Sequence, residues 1–179
     1  MKNKIYLATA VLWSALAVAE AEIVRAPGPC GAPECDYVWP KLSEINGWKH
    51  DRRNSLKYKS NILVQAGKDY DSETSTINAA YINAGEYPSL DALITFFSNY
   101  KEEAKGMKVS AIEPMLTADG IELRAFQHES GPDGVWEVYA YGEEGGFYLL
   151  FNTSSFSQED MLLAEAALRS LVSEYVISE

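Results

Sequence analysis

Between Gly134 and Ser155 two apolar runs flank Glu143-Glu144-Gly145-Gly146. Successive side chains of an extended chain point to opposite faces, so Trp136, Val138 and Ala140 fall on one side of the first run and Val135, Tyr139 and Tyr141 on the other. Only Glu137 interrupts this pattern. In the second run Phe147, Leu149 and Phe151 oppose Tyr148 and Leu150. Strands apolar on both sides are covered on both sides, and glycines between them supply the turn. The pattern predicts a β-hairpin at the middle of a sheet.

Period-two patterns elsewhere are weaker. Leu56 and Tyr58 alternate with Lys57 and Lys59, which predicts a half-buried or edge strand, continued by Ile62, Val64 and Ala66 and followed by a turn at Ala66-Gly67-Lys68-Asp69. Another strand is predicted from Ile77 to Ala84; being less apolar than the hairpin, these early strands belong toward a sheet edge. Ser89 then offers an N-cap, and Leu90, Leu93, Ile94, Phe97, Tyr100 and Ala104 recur at helical spacing, predicting a helix over Leu90 to Lys105. Val109 to Met115 and the run through Ile121, Leu123 and Ala125 predict two more strands, with turns at Thr117-Ala118-Asp119-Gly120 and Gly131-Pro132-Asp133-Gly134. Ser157 opens a last helix whose stripe is Met161, Ala164, Leu168, Leu171, Val172 and Tyr175. The proline-rich segment from Ile23 to Pro40 predicts an irregular surface arm.

The expected fold class is α+β, a single-domain antiparallel sheet with helices packed on both faces. This order of elements, with Ser89-Leu90-Asp91-Ala92-Leu93-Ile94 opening the first helix and the meander ending in Phe147-Tyr148-Leu149-Leu150-Phe151, resembles the PsbP-like family over roughly Tyr58 to Tyr175. That family includes photosystem extrinsic proteins, a Ran-binding import factor and small exported bacterial proteins. The resemblance implies an α/β/α sandwich serving as a non-enzymatic binding or assembly module. It carries no catalytic motif and transfers no site residue.

The first residues change the setting. Lys2 and Lys4 precede an apolar run from Ile5 to Val18 that ends in small residues, the pattern of a secretory signal peptide over residues 1–21. Ala17-Val18-Ala19 and Ala19-Glu20-Ala21 both fit a cleavage site, the second being preferred. The run is too short for the ~20 residues of a spanning helix, so no stable membrane insertion is expected after signal removal. Residues 22–43 are then an N-terminal arm and 44–179 one domain. Cys30 and Cys35 are the only cysteines, and an oxidising destination favours a local disulfide between them. The alternative, a redox-active pair, lacks both the Cys-x-x-Cys spacing and a strand-to-helix context.

Formal net charge is −11, which disfavours nucleic acid as a partner. The charge is uneven: from Ile112 to Glu179 thirteen acidic residues face two basic ones, whereas Lys41 to Lys59 holds six cations against Glu44 and Asp51. Within that stretch Trp48-Lys49-His50-Asp51-Arg52-Arg53 joins an imidazole, a carboxylate and two guanidinium groups. It is the candidate binding segment, for a small anionic ligand or a protein partner, since arginine forks match carboxylate and phosphate. Read as a strand, it would put Trp48, His50 and Arg52 on one side and Lys49, Asp51 and Arg53 on the other. A solvated strand with an Asp51 to arginine pair is the plain alternative.

His50 and His128 are the only histidines, and neither lies in a nucleophile, zinc or phosphate-loop motif. Asp69-Tyr70-Asp71-Ser72-Glu73 lacks the glycine and further ligands of a calcium loop. No cofactor, metal or catalytic residue is expected. The sequence predicts an exported, non-enzymatic binding or protein-interaction module of the bacterial cell envelope. An inhibitor or immunity-type protein and a hydrolase using His50 or His128 are the alternatives.

Overall fold

The computed structural model describes residues 22–26, 34–70 and 74–177. The expected signal peptide, Cys30 and part of the acidic loop at Asp71-Ser72-Glu73 lie outside the described residues. In chain order the elements are β1 (Glu22–Ala26), β2 (Cys35–Trp39), β3 (Trp48–His50), α1 (Arg52–Tyr58), β4 (Asn61–Gln65), β5 (Thr76–Asn83) and α2 (Leu90–Asn99). A π-helical turn over Tyr100–Ala104 follows, then β6 (Lys108–Ala111), β7 (Met115–Leu116), β8 (Glu122–Glu129), β9 (Trp136–Glu144), β10 (Phe147–Ser155) and α3 (Gln158–Glu174).

The β9–β10 hairpin sits in the middle of an eight-stranded sheet of order β3-β4-β5-β10-β9-β8-β6, with β7 paired to β8 off that path. All these pairings are antiparallel. The hairpin register pairs Phe147 with Glu144 and Leu150 with Tyr141. Two residues, Gly145 at φ 54° and Gly146 at φ 81°, make the turn, and left-handed backbone at consecutive positions is what a tight hairpin asks of glycine.

The two faces of the hairpin meet different partners. Val138, Ala140, Leu149 and Phe151, with Leu63 and Ile77 of the neighbouring strands, pack against Met161, Leu168, Leu171 and Val172 of α3. Ser157 starts α3 by accepting the Asp160 amide, and Glu159 and Asp160 place negative charge where the helix dipole favours it. On the other face Tyr139, Tyr141, Tyr148 and Leu150 meet Leu93 and Ile94 of α2.

The expected α/β/α sandwich is not the architecture. The protein is mostly antiparallel β, 40% strand against 29% helix, and the large sheet dominates it. The reason is extent. The ten-residue α2 is about 15 Å long at 1.5 Å per residue, whereas the seven strands of the main path spread over about 29 Å at their usual spacing. With α1 only seven residues long, the helices cannot form two full layers.

Local expectations are corrected too. The N-terminal arm is not wholly irregular: β1 and β2 pair from Glu22 against Trp39 to Ala26 against Cys35 and form a separate two-stranded sheet. Its core of Val24, Ala26, Cys35, Tyr37 and Trp39 leans on Leu56. The alternating Leu56 to Lys59 stretch is helix α1 and its cap, not a strand. The strand expected over Val109 to Met115 breaks into β6 and β7 around Pro114, whose missing N–H cannot serve a ladder.

Candidate functional site

The segment Trp48 to Arg53 does not stay extended. Trp48 to His50 form β3 on β4, and Asp51 then caps α1, its Oδ1 accepting the Asn54 amide at 3.0 Å and its Oδ2 the Asn54 side chain at 2.7 Å. Burial pushes the Asp51 carboxyl up, but these hydrogen bonds, the Arg53 amide and the Lys49 charge outweigh it and hold it below its usual range. Asp51 is therefore a structural anion, and the plain expectation of an Asp51 to arginine pair is not what forms.

The six candidate residues are dispersed. Trp48 packs on the main core, and Lys49 stands 3.9 Å from Asp69. His50 Nδ1 is 3.0 Å from Asn61 Oδ1, and with Arg52 it lines a cavity of about 200 Å³ against Glu22 and Trp39 of the N-terminal hairpin. Arg53 turns to a different place. The expected grouping of Trp48, His50 and Arg52 on one side survives only as His50 with Arg52.

Arg53 lines an open cleft of about 500 Å³ together with Lys57, one helical turn further along α1. Residues four apart share a helix face, so the helix brings together two cations that a strand reading treats as unrelated. Asn54, Thr74, Thr76 and Ser154 add amide and hydroxyl groups, and Tyr58, Tyr70 and Phe156 add rings. The Thr76 and Ser154 hydroxyls join β5 to β10 across 3.0 Å. Tyr58 and Tyr70 stand 5.4 Å apart with rings tilted by 36°, and Lys57 Nζ lies 4.8 Å from the Tyr58 ring centre. Burial, then the neighbouring Tyr58 and Asp51, push the Tyr70 hydroxyl up and keep it protonated. Among the described residues neither Arg53 nor Lys57 has a carboxylate partner. The described lining of the cleft thus brings two cations together with amide and hydroxyl groups. Nothing in the local sequence joins Tyr70, Thr76 or Ser154 to Arg53; the strand order does.

A second polar constellation lies under the end of α2. Lys101, on the π-helical turn, reaches Glu137 Oε2 at 2.5 Å, and both side chains are nearly buried. His128 is fully buried, stacks on Tyr139 with centroids 4.7 Å apart, and holds Nδ1 3.6 Å from the same carboxylate oxygen. That separation is too long for a hydrogen bond, and neither ring nitrogen has a hydrogen-bond partner. Burial pushes the Glu137 carboxyl up, yet His128 and Lys101 together hold it below its usual range. Tyr139 and Tyr141 are pushed up, first by burial and then by the Glu137 charge. The sequence marks Glu137 only as the single break in an apolar run.

Cys35 is disulfide-bonded; Cys30 lies outside the described residues. Among the described residues no group of three or more His, Cys, Asp or Glu side chains is placed to hold a metal ion, and no helix is long and apolar enough to cross a membrane. Compared with known proteins, the chain matches no family model and no curated protein sequence.

Proposed function

We propose that the protein is an exported, non-catalytic binding module that takes a small anionic ligand in the cleft beside α1. The observation that carries this reading is the pair Arg53 and Lys57, both lining one cleft and both without a carboxylate partner among the described residues, in a chain of net charge −11. Two cations that line one cleft reinforce each other's attraction for an anion, and the arginine fork matches an oxyanion or a carboxylate. The export reading rests on the signal pattern of residues 1–21. His128 is sealed from solvent and so lends a hydrolase reading no support.

The test is calorimetric titration with sodium sulfate and sodium acetate in dilute buffer, repeated at rising ionic strength and with an Arg53→Ala, Lys57→Ala double variant. Anion binding that weakens with salt and is lost in the double variant is the expected result. Binding of equal strength in the double variant would remove this cleft as the site. A His50→Ala, Arg52→Ala variant should bind as the native chain does.

A further inference from the structure

We infer that the cluster under the end of α2 is an acid-operated latch: a proton taken by His128 displaces Lys101 from Glu137 and frees the π-helical turn that Lys101 holds down. The inference is independent of the anion-binding cleft. It starts from two nitrogens. His128 is fully buried, and no protein group hydrogen-bonds either of its ring nitrogens. A neutral imidazole there holds a donor and an acceptor with nothing to serve. A protonated one faces the carboxylate of Glu137, its partner in the ladder, across 3.6 Å from Nδ1 to Oε2.

Charge balance then forces a choice. Lys101, Glu137 and a neutral His128 sum to zero, and a second cation would leave the enclosed cluster with net positive charge, which burial penalises. His128 is fixed within β8, between Val109 of β6 and Glu137 of β9. Lys101 has a long flexible stem, 13% of its side chain is already exposed, and it lines a cavity of about 190 Å³ with Lys105 and Asp133. It is the cation that can turn its head to water. The turn that carries it is π-helical, a rare geometry that recurs at functional sites, and this is the element poised to yield.

The other groups around His128 do not compete for the proton. Tyr139 of β9 stacks on the ring and, with Tyr141 beyond it, is kept protonated by burial. On the β6 side Lys108 is tied to Glu129 at the exposed edge, and at the cavity Lys105 stands 3.7 Å from Asp133. Burial pushes the Glu137 carboxyl up, but His128 and Lys101 hold it below its usual range, so it is an anion where imidazoles ordinarily gain a proton.

The experiment is NMR of the isotope-labelled folded chain from about pH 8 to about pH 5, which brackets ordinary imidazole titration. The Lys101 ammonium lies 5.4 Å from the Tyr139 ring centre, so the adjoining ε-methylene carries a ring-current shift that reports the latched state. As the His128 ring takes up its proton, that shift should vanish and the amides of residues 100–104 should move, while those of α3 stay in place. In His128→Gln the Lys101 signals should stay latched throughout, and His50→Gln should behave as the native chain does. In Lys101→Met the His128 ring should bind its proton about tenfold more tightly, because the competing cation is gone. A His128 ring that takes no proton in the folded chain, or takes one while Lys101 stays on Tyr139, would overturn the latch. So would release of Lys101 that persists in His128→Gln, or that comes only as the α3 signals are lost in general unfolding. The titration of the native chain decides between these outcomes even where a variant fails to fold.

Discussion

Lys101 and Glu137 face each other with 13% and 11% of their side chains exposed, and a charge held there without its partner is costly. Lys101→Met should destabilise the protein by about 3 kcal/mol, whereas adding Glu137→Leu should recover much of the loss, because the uncompensated carboxylate is then gone. Urea denaturation of the two variants checks this. The same pair sets an acid limit. Since the folded-state value of Glu137 is depressed, its contribution is present above the unfolded carboxyl value of about 4.3 and is lost as pH falls through the folded one. Stability followed from pH 7 to pH 3 should therefore fall less steeply in Glu137→Gln than in the native chain. Sequence shows a glutamate in an apolar run and nothing more. Its partners come from β8 and from the turn after α2, and only the assembled sheet puts them together.

The elements divide into those that announce themselves and one that misleads. Helix α3 is legible from Ser157 through its buried stripe to Tyr175, because cap and period agree. For α1 two signals conflict: Leu56 and Tyr58 alternate with lysines as in a strand, while Asp51 is a good cap. The cap prevails, since an Asp51 that satisfies the Asn54 amide fixes the first turn. Asp51→Ala should cost about 1 kcal/mol and weaken anion binding, because Arg53 and Lys57 share a face only while α1 is helical. At the other end Lys59 has φ 56°, a left-handed conformation that glycine adopts freely. Lys59→Gly should raise stability by about 0.5–1 kcal/mol, read as a higher urea midpoint with an unchanged slope. Pro114 marks in the sequence where the strand expected over Val109 to Met115 breaks between β6 and β7.

At the scale of the whole molecule the sheet outgrew the sandwich expected of it. The two-faced pattern of the central hairpin is correct and is satisfied by α3 on one side and α2 on the other. What the sequence concealed was how many further strands would join. Short pieces such as Trp48–His50 and Met115–Leu116 are too brief to show a period, and they are recruited by pairing with longer neighbours. The residues of the proposed cleft were half legible for the same reason: the cationic stretch contains Arg53 and Lys57, but only helix formation and strand order bring Tyr70, Thr76 and Ser154 to them. The main path of the sheet ends in β3, three residues long, and in β6, four residues long with the exposed Lys108 at its start. Such margins offer a foreign chain few backbone groups and a charge to bury, which makes the main sheet a poor template for its own copies. A protein with so much β structure should thus withstand long storage at high concentration without seeding fibrils, its growth halted at both borders.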